Sequence, residues 1–107
     1  MDAARRRRLL GLAGLGVRAR NAVVGVEQVR AAAQSGTLKM ALMAEDASPH
    51  SRDKVVPLLA AKRVTMVDGF TAAELGAVTG RDATAVIGIV DAALAKGMRG
   101  ALGSAGS

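Results

Sequence analysis

The chain has 107 residues and a formal net charge of +6; half of its residues are hydrophobic, and its single aromatic is Phe70. That length holds one domain, and its core has to be assembled from Ala, Val, Leu, Ile and Met. The absence of cysteine excludes disulfides, thiolate catalysis and zinc on Cys ligands, and one Phe cannot build the aromatic platform on which single-stranded bases stack.

At the N-terminus Arg5, Arg6, Arg7, Arg8, Arg18 and Arg20 stand against Asp2, so most of the excess charge lies there. The stretch RRRRLLGLAGLGV imitates an export signal, with a basic start and a short apolar run. The apolar run from Leu9 to Val17 stops at Arg18 and is far too short to span a bilayer. It reads as an amphipathic first helix with an arginine-rich leading turn. AVVG (22–25) is a short β-branched run, and VEQVRAAAQSG then sets Val26, Val29 and Ala33 on one helical stripe that Gly36 ends. LKMALMA (38–44) reads as a buried strand. Ser48 suits an N-cap with Pro49 at the first helical position, and Pro57 is expected to kink or split the helix that follows. VTMVD (64–68) is the next strand, closed by Asp68-Gly69 as a turn signal. Thr71 and Glu74 have the spacing of a capping box, and Gly80 ends that helix. TAVIGIV (84–90) is a strand, Asp91 caps DAALAKGM, and GALGSAGS has the composition of a flexible tail. Strands separated by helices predict an α/β domain over residues 1–98, a central sheet with helices on both faces, and a flexible tail over 99–107.

Catalytic chemistry finds little support in these residues. His50 is the only histidine and reads as a solvent-facing residue in the first turn of a helix. Glu45 and Asp46 end a strand, where α/β folds place ligand contacts, yet two carboxylates alone make a weak metal site. Gly11, Gly14 and Gly16 follow no strand and lead to no Gly-Lys-Ser/Thr, so they read as close-packing positions rather than a phosphate loop. No cofactor, metal or enzymatic activity is expected. Basic residues and exposed helix N-termini leave nucleic acid as the surviving ligand class, recognised by shape and groove edges.

Several segments together resemble a known family. LLGLAGLGVRARNAVVGVEQVRAAAQSG, then LKMALMAEDASPHS, AAELGAVTG and AVIGIVDAALAKG, in this order and spacing, are similar to the bacterial YlxQ-like branch of the L-seven-Ae ribosomal-protein family, over residues 9–98. The resemblance implies a three-layer α/β/α sandwich around a mixed four-stranded sheet, without enzymatic activity. It also implies binding of a kink-turn, an RNA bend with tandem sheared G·A pairs, by the N-terminus of the second helix and the loop before the last strand. The family's motif there is Gly-x-Asn-Glu with a Lys three residues after the Glu. Gly25 matches the glycine and Val26 fills the open position; Glu27 stands at the Asn, Gln28 at the Glu, and Ala31 at the Lys with Arg30 beside it. Gln28 can offer an acceptor to a guanine edge, whereas Glu27 cannot donate as Asn does. Ser48 and Pro49 fall near a position that meets a flipped base in some relatives, and Arg81, Asp82 and Ala83 occupy the closing loop.

Each of these positions also has a purely structural reading. Glu27 complements a helix dipole by ~0.3–1 kcal/mol without any ligand, Gly25 suits a strand-to-helix turn, and Arg81 with Asp82 can be an ordinary turn pair. The sequence thus predicts one RNA-facing edge made of Gly25 to Arg30, the loop at Ser48 and the loop from Gly80 to Thr84, flanked by Arg18 and Arg20. The expected partners are structured RNA of kink-turn or rRNA-like form and, through it, the ribosome or translation factors. No membrane partner is expected, and the protein is expected to be a cytoplasmic monomer. The alternative is a protein-interaction adaptor that keeps the fold and has lost kink-turn binding.

Overall fold

The first helix starts at a side-chain cap: Asp2 accepts the Arg5 N–H at 2.7 Å, and α1 (Ala3–Arg18) carries Leu9 and Ala13 fully buried into the core. The run that imitates an export signal is therefore part of the helical layer. In the computed structural model, which describes residues 1–103, the further elements are β1 (Ala22–Val24), α2 (Val26–Ser35), β2 (Met40–Ala44), α3 (Pro49–Ala61), β3 (Thr65–Phe70), α4 (Ala72–Thr79), β4 (Val86–Ile89) and α5 (Ala92–Gly103). The strands form one mixed sheet in the order β1-β4-β2-β3, with β4 antiparallel to both β1 and β2, and β3 parallel to β2.

Period-two alternation divides the core between the two faces. Met40, Leu42, Ala44, Ile87 and Ile89 face α1, α4 and α5, where they meet Leu9, Leu75, Ala95 and Met98. Ala41, Met43 and Val86 face α2 and α3, where they meet Val29, Ala33, Val55 and Leu59. This is the three-layer α/β/α sandwich with a mixed four-stranded sheet that the sequence leads one to expect. Gly14 and Gly16 serve close packing as expected, since a Cβ on Gly16 would come within 2.5 Å of Leu94 and one on Gly14 within 3.5 Å of Val78; Gly11 has no such neighbour.

Three local expectations change. Pro57 does not split its helix: α3 is continuous, because Pro57 and the residue one turn before it, Asp53, are both exposed. Water can satisfy the carbonyl that the proline ring leaves without a donor. Asp68-Gly69 is not a turn but an interruption within β3, where Leu42 pairs with Val67 and Ala44 with Phe70. Three residues thus advance against two, a β-bulge accommodated by Gly69 at φ 106°. Finally, α5 continues past residue 98 to Gly103 because Met98 and Ala101 remain on its buried stripe; of the expected tail, residues 104–107 lie outside the described residues. No helix among the described residues is long and apolar enough to cross a membrane.

Candidate nucleic-acid interface

The sheet topology decides which predicted residues meet. Gly25, just past β1, donates its N–H to Val86 O at 2.9 Å, and Ala44, the last residue of β2, donates to Ala85 O at 2.8 Å. Glu45 donates to Phe70 O at 2.8 Å. The end of β1, the ends of β2 and β3 and the start of β4 therefore share one end of the sheet. Gly25 to Arg30, the loop 45–48 and the loop 80–85 are brought together there.

Gly25 turns the chain from β1 into α2 at φ 94°, ψ 163°, with no side-chain hydrogen bond capping the helix. That backbone region is essentially restricted to glycine, while an added Cβ would meet nothing within 4 Å. The constraint is conformational, and the space in front of the turn is open. Val26 is half-buried at the first helical position. Gln28 folds back so that its Oε1 accepts the Val24 N–H at 3.2 Å, capping a donor of the edge strand and leaving its amide NH2 available.

Glu27 is 80% exposed, and its Oε1 lies 3.6 Å from Lys54 Nζ on α3. The Arg30 guanidinium is also directed to α3, donating to the Lys54 carbonyl. Lys54 was not legible as a participant, because only the packing of α2 on α3 brings it beside both residues. Ser48 is the α3 N-cap, its Oγ accepting the Ser51 N–H at 3.1 Å. His50 is exposed on the first turn, as its sequence context suggests. Asp46 Oδ1 accepts the Ala72 N–H at 2.7 Å, which makes it a tether for α4. Among the described residues no group of three potential ligands could hold a metal ion.

The loop before β4 is fixed from inside. Thr84 is buried; its hydroxyl lies 2.8 Å from that of Thr79, and its N–H donates to Ala72 O at 2.9 Å. Arg81 N–H donates to Gly76 O at 2.9 Å, and a Cβ on Gly76 would meet Ala83 N and Arg81 O at 2.7 Å. The loop thus rests directly on the α4 backbone, with Arg81, Asp82 and Ala83 exposed above it. Spacing alone gives no sign of this contact; the signal was an unexplained glycine inside a helical pattern.

Beneath the same end, Arg6 reaches from α1 with two contacts to Glu74, at 2.7 and 2.6 Å, and a third to Gly69 O at 3.0 Å. The Thr71 N–H, foremost, and Arg6 hold the Glu74 carboxyl below its ordinary range, against a smaller opposing effect of desolvation.

Arg18 and Arg20 do not flank this edge. Val90 N–H donates to Asn21 O, and Ala22 pairs with Ile89, so the segment entering β1 lies at the opposite end of the sheet. The separation follows from connectivity, since the two arginines precede β1 whereas Gly25 follows it.

The family model described as the ribosomal protein L7Ae/L30e/S12e/Gadd45 family matches residues 9–98. Among solved structures, a protein with unknown function from Bacillus halodurans C superposes with a TM-score of 0.80 at 28% identity, covering 88% of this chain and 95% of that one. The Giardia lamblia 15.5kD RNA binding protein superposes with a TM-score of 0.82 at 20% identity, covering 97% of this chain and 89% of that one. Comparison with curated protein sequences gives no match.

Proposed function

Because the chain belongs to the ribosomal protein L7Ae/L30e/S12e/Gadd45 family, we propose that it is an RNA-binding protein that recognises a kink-turn or rRNA-like RNA through the N-terminus of α2 and the loops beside it. The family match over residues 9–98 carries this reading. The likeness in fold to an RNA-binding protein supports it, as does the meeting of Gly25, Gln28, Ser48 and Arg81 at one end of the sheet. The uncapped first turn of α2 offers N–H donors to phosphate, and the Gln28 amide, already held in place, offers donors to a base edge. The protein acts by binding, without cofactor or catalysis, as a cytoplasmic monomer alongside the ribosome or translation factors. Its position in the YlxQ-like bacterial branch belongs to the same proposal.

Glu27 favours a second reading. Glu27, Glu45, Asp46 and Asp82 are all exposed at this end of the sheet, and carboxylates repel phosphate; an adaptor that binds a basic protein partner would use the same edge. Titration of a labelled kink-turn RNA and a plain duplex of equal length, at two salt concentrations, separates the two. Preference for the kink-turn that survives higher salt is expected; weak binding that ignores RNA shape and vanishes with salt would sink the kink-turn reading. Glu27→Asn removes the anion and releases Lys54, so kink-turn affinity should rise, and an unchanged affinity would mean that this edge does not face the RNA.

A further inference from the structure

The loops of the family edge hold more carboxylates than cations, whereas the segments at the opposite end of the sheet hold almost only cations. Arg20 lies in the segment entering β1, Lys39 in the one entering β2, and Lys62 and Arg63 in the one entering β3; Arg18 sits in the last turn of α1 just before them. Hydrogen bonding joins these segments across the sheet: Val90 donates to Asn21 O at 3.0 Å and Lys39 to Ile89 O at 2.7 Å, while Met40 pairs with Thr65. With strands about 4.8 Å apart, Arg20 and Lys39 are two strand spacings from one another, and Lys39 and Arg63 one. All five cations are exposed, and none belongs to an ion pair among the described residues. The only carboxylate in the connecting segments at this end is Asp91, which is occupied in accepting the Leu94 N–H at 2.8 Å.

A second, independent observation concerns the backbone. Arg20 and Arg63 have φ values of 63° and 57°, the only positive values at non-glycine residues in the described chain. Glycine or asparagine is the ordinary occupant of such a position. Both exceptions are arginine, and both stand at this end of the sheet. Helix dipoles explain a cation near the end of α1 or α3, but not an arginine where its own backbone is disfavoured.

We propose that this end of the sheet is a second RNA-contacting surface, on which Arg20, Lys39, Lys62 and Arg63 bind the phosphate backbone of a duplex without reading its sequence. Phosphate suits the surface better than a protein partner does. Protein interfaces are anchored by clusters of buried aromatic or apolar groups, and of the large hydrophobics exposed among the described residues only Leu15, in the last turn of α1, lies near this end, a single apolar group beside five cations. Guanidinium groups bind phosphate in bidentate fashion, and the two lysines act as point charges. The surface does not depend on how the Gly25 end behaves, and with both ends engaged the chain would join two RNA segments.

The test uses the full chain, a 20-base-pair RNA duplex without internal loops, and the triple variant Lys39→Gln, Lys62→Gln, Arg63→Gly. Duplex affinity should fall about tenfold at low salt, and the slope of log affinity against log salt should flatten by about two to three. Kink-turn affinity should fall less than duplex affinity, so that the preference of the variant for kink-turn over duplex rises, and its denaturation midpoint should be no lower than that of the parent. A variant that binds the duplex with the parent's affinity and slope overturns the proposal, as does polyglutamate competing as well as an RNA of equal charge. A parent chain that shows no kink-turn preference would remove the reading of the Gly25 end; a flattened slope in the triple variant would still support this surface.

Discussion

Glu27 and Glu74 are both carboxylates in the first turn of a helix, and their surroundings give them different parts. Glu27 reaches only Lys54, at 3.6 Å across an exposed gap, and such a pair contributes at most about 1 kcal/mol. Glu74 accepts from Thr71 and takes both arms of its contact with Arg6, so it fastens α1 to α4. Its lowered value makes it a group whose folded state prefers to be ionised. That contribution is complete above the ordinary glutamate value of 4.5 and is lost as pH falls through the lower folded-state value. Urea midpoints followed from neutral to acid pH should therefore decline less steeply in Glu74→Gln than in the parent. Equal slopes would mean that Glu74 does not couple to folding. Arg63 offers the opposite experiment. Its left-handed backbone costs ~1–2 kcal/mol, and glycine removes that cost while loosening the unfolded chain by ~0.4–1 kcal/mol. Arg63→Gly should thus raise stability by roughly 0.5–1 kcal/mol in denaturant titration.

At the scale of elements, the closing loop and α4 behave as one unit. Gly76 lies against the backbone of Arg81 and Ala83, and backbone cannot yield as the tip of a side chain can. Gly76→Ala should cost about 1–3 kcal/mol by overpacking, read as a lowered thermal midpoint, and should weaken kink-turn binding by displacing the loop. Most element boundaries were legible because their signals are local. The Thr71–Glu74 capping box is present on both sides, and Ser48 with Pro49 opens α3 as their identities predict. The bulge at Gly69 was not legible, since Asp-Gly is a turn signal unless a neighbouring strand holds the chain extended, and β2 does so here. The opposite positions of Arg20 and Gly25 were illegible for a related reason. They are close in sequence, yet a three-residue strand with both residues outside it sends them to different ends of the sheet.

At the scale of the whole molecule, a core almost without aromatics depends heavily on the one it has. Phe70 is fully buried at the end of β3 and belongs to the cluster under α1, α4 and α5. Phe70→Ala should cost about 3–5 kcal/mol, a large part of the ~5–15 kcal/mol of a domain this size. The loss would have to be followed by far-ultraviolet circular dichroism, because the chain contains no Trp or Tyr. The charges at the sheet ends also have a kinetic consequence. Cations are gathered where β1, β2 and β3 begin, whereas where the strands end the exposed carboxylates stand among Arg81 and the arginine-rich leading turn of α1, so both ends draw the protein toward a nucleic acid. First collisions at low salt should then be drawn in by the Arg20–Arg63 side as well as by the arginine-rich turn of α1. Stopped-flow association at rising ionic strength should show the encounter rate falling steeply, while dissociation of a kink-turn complex changes far less.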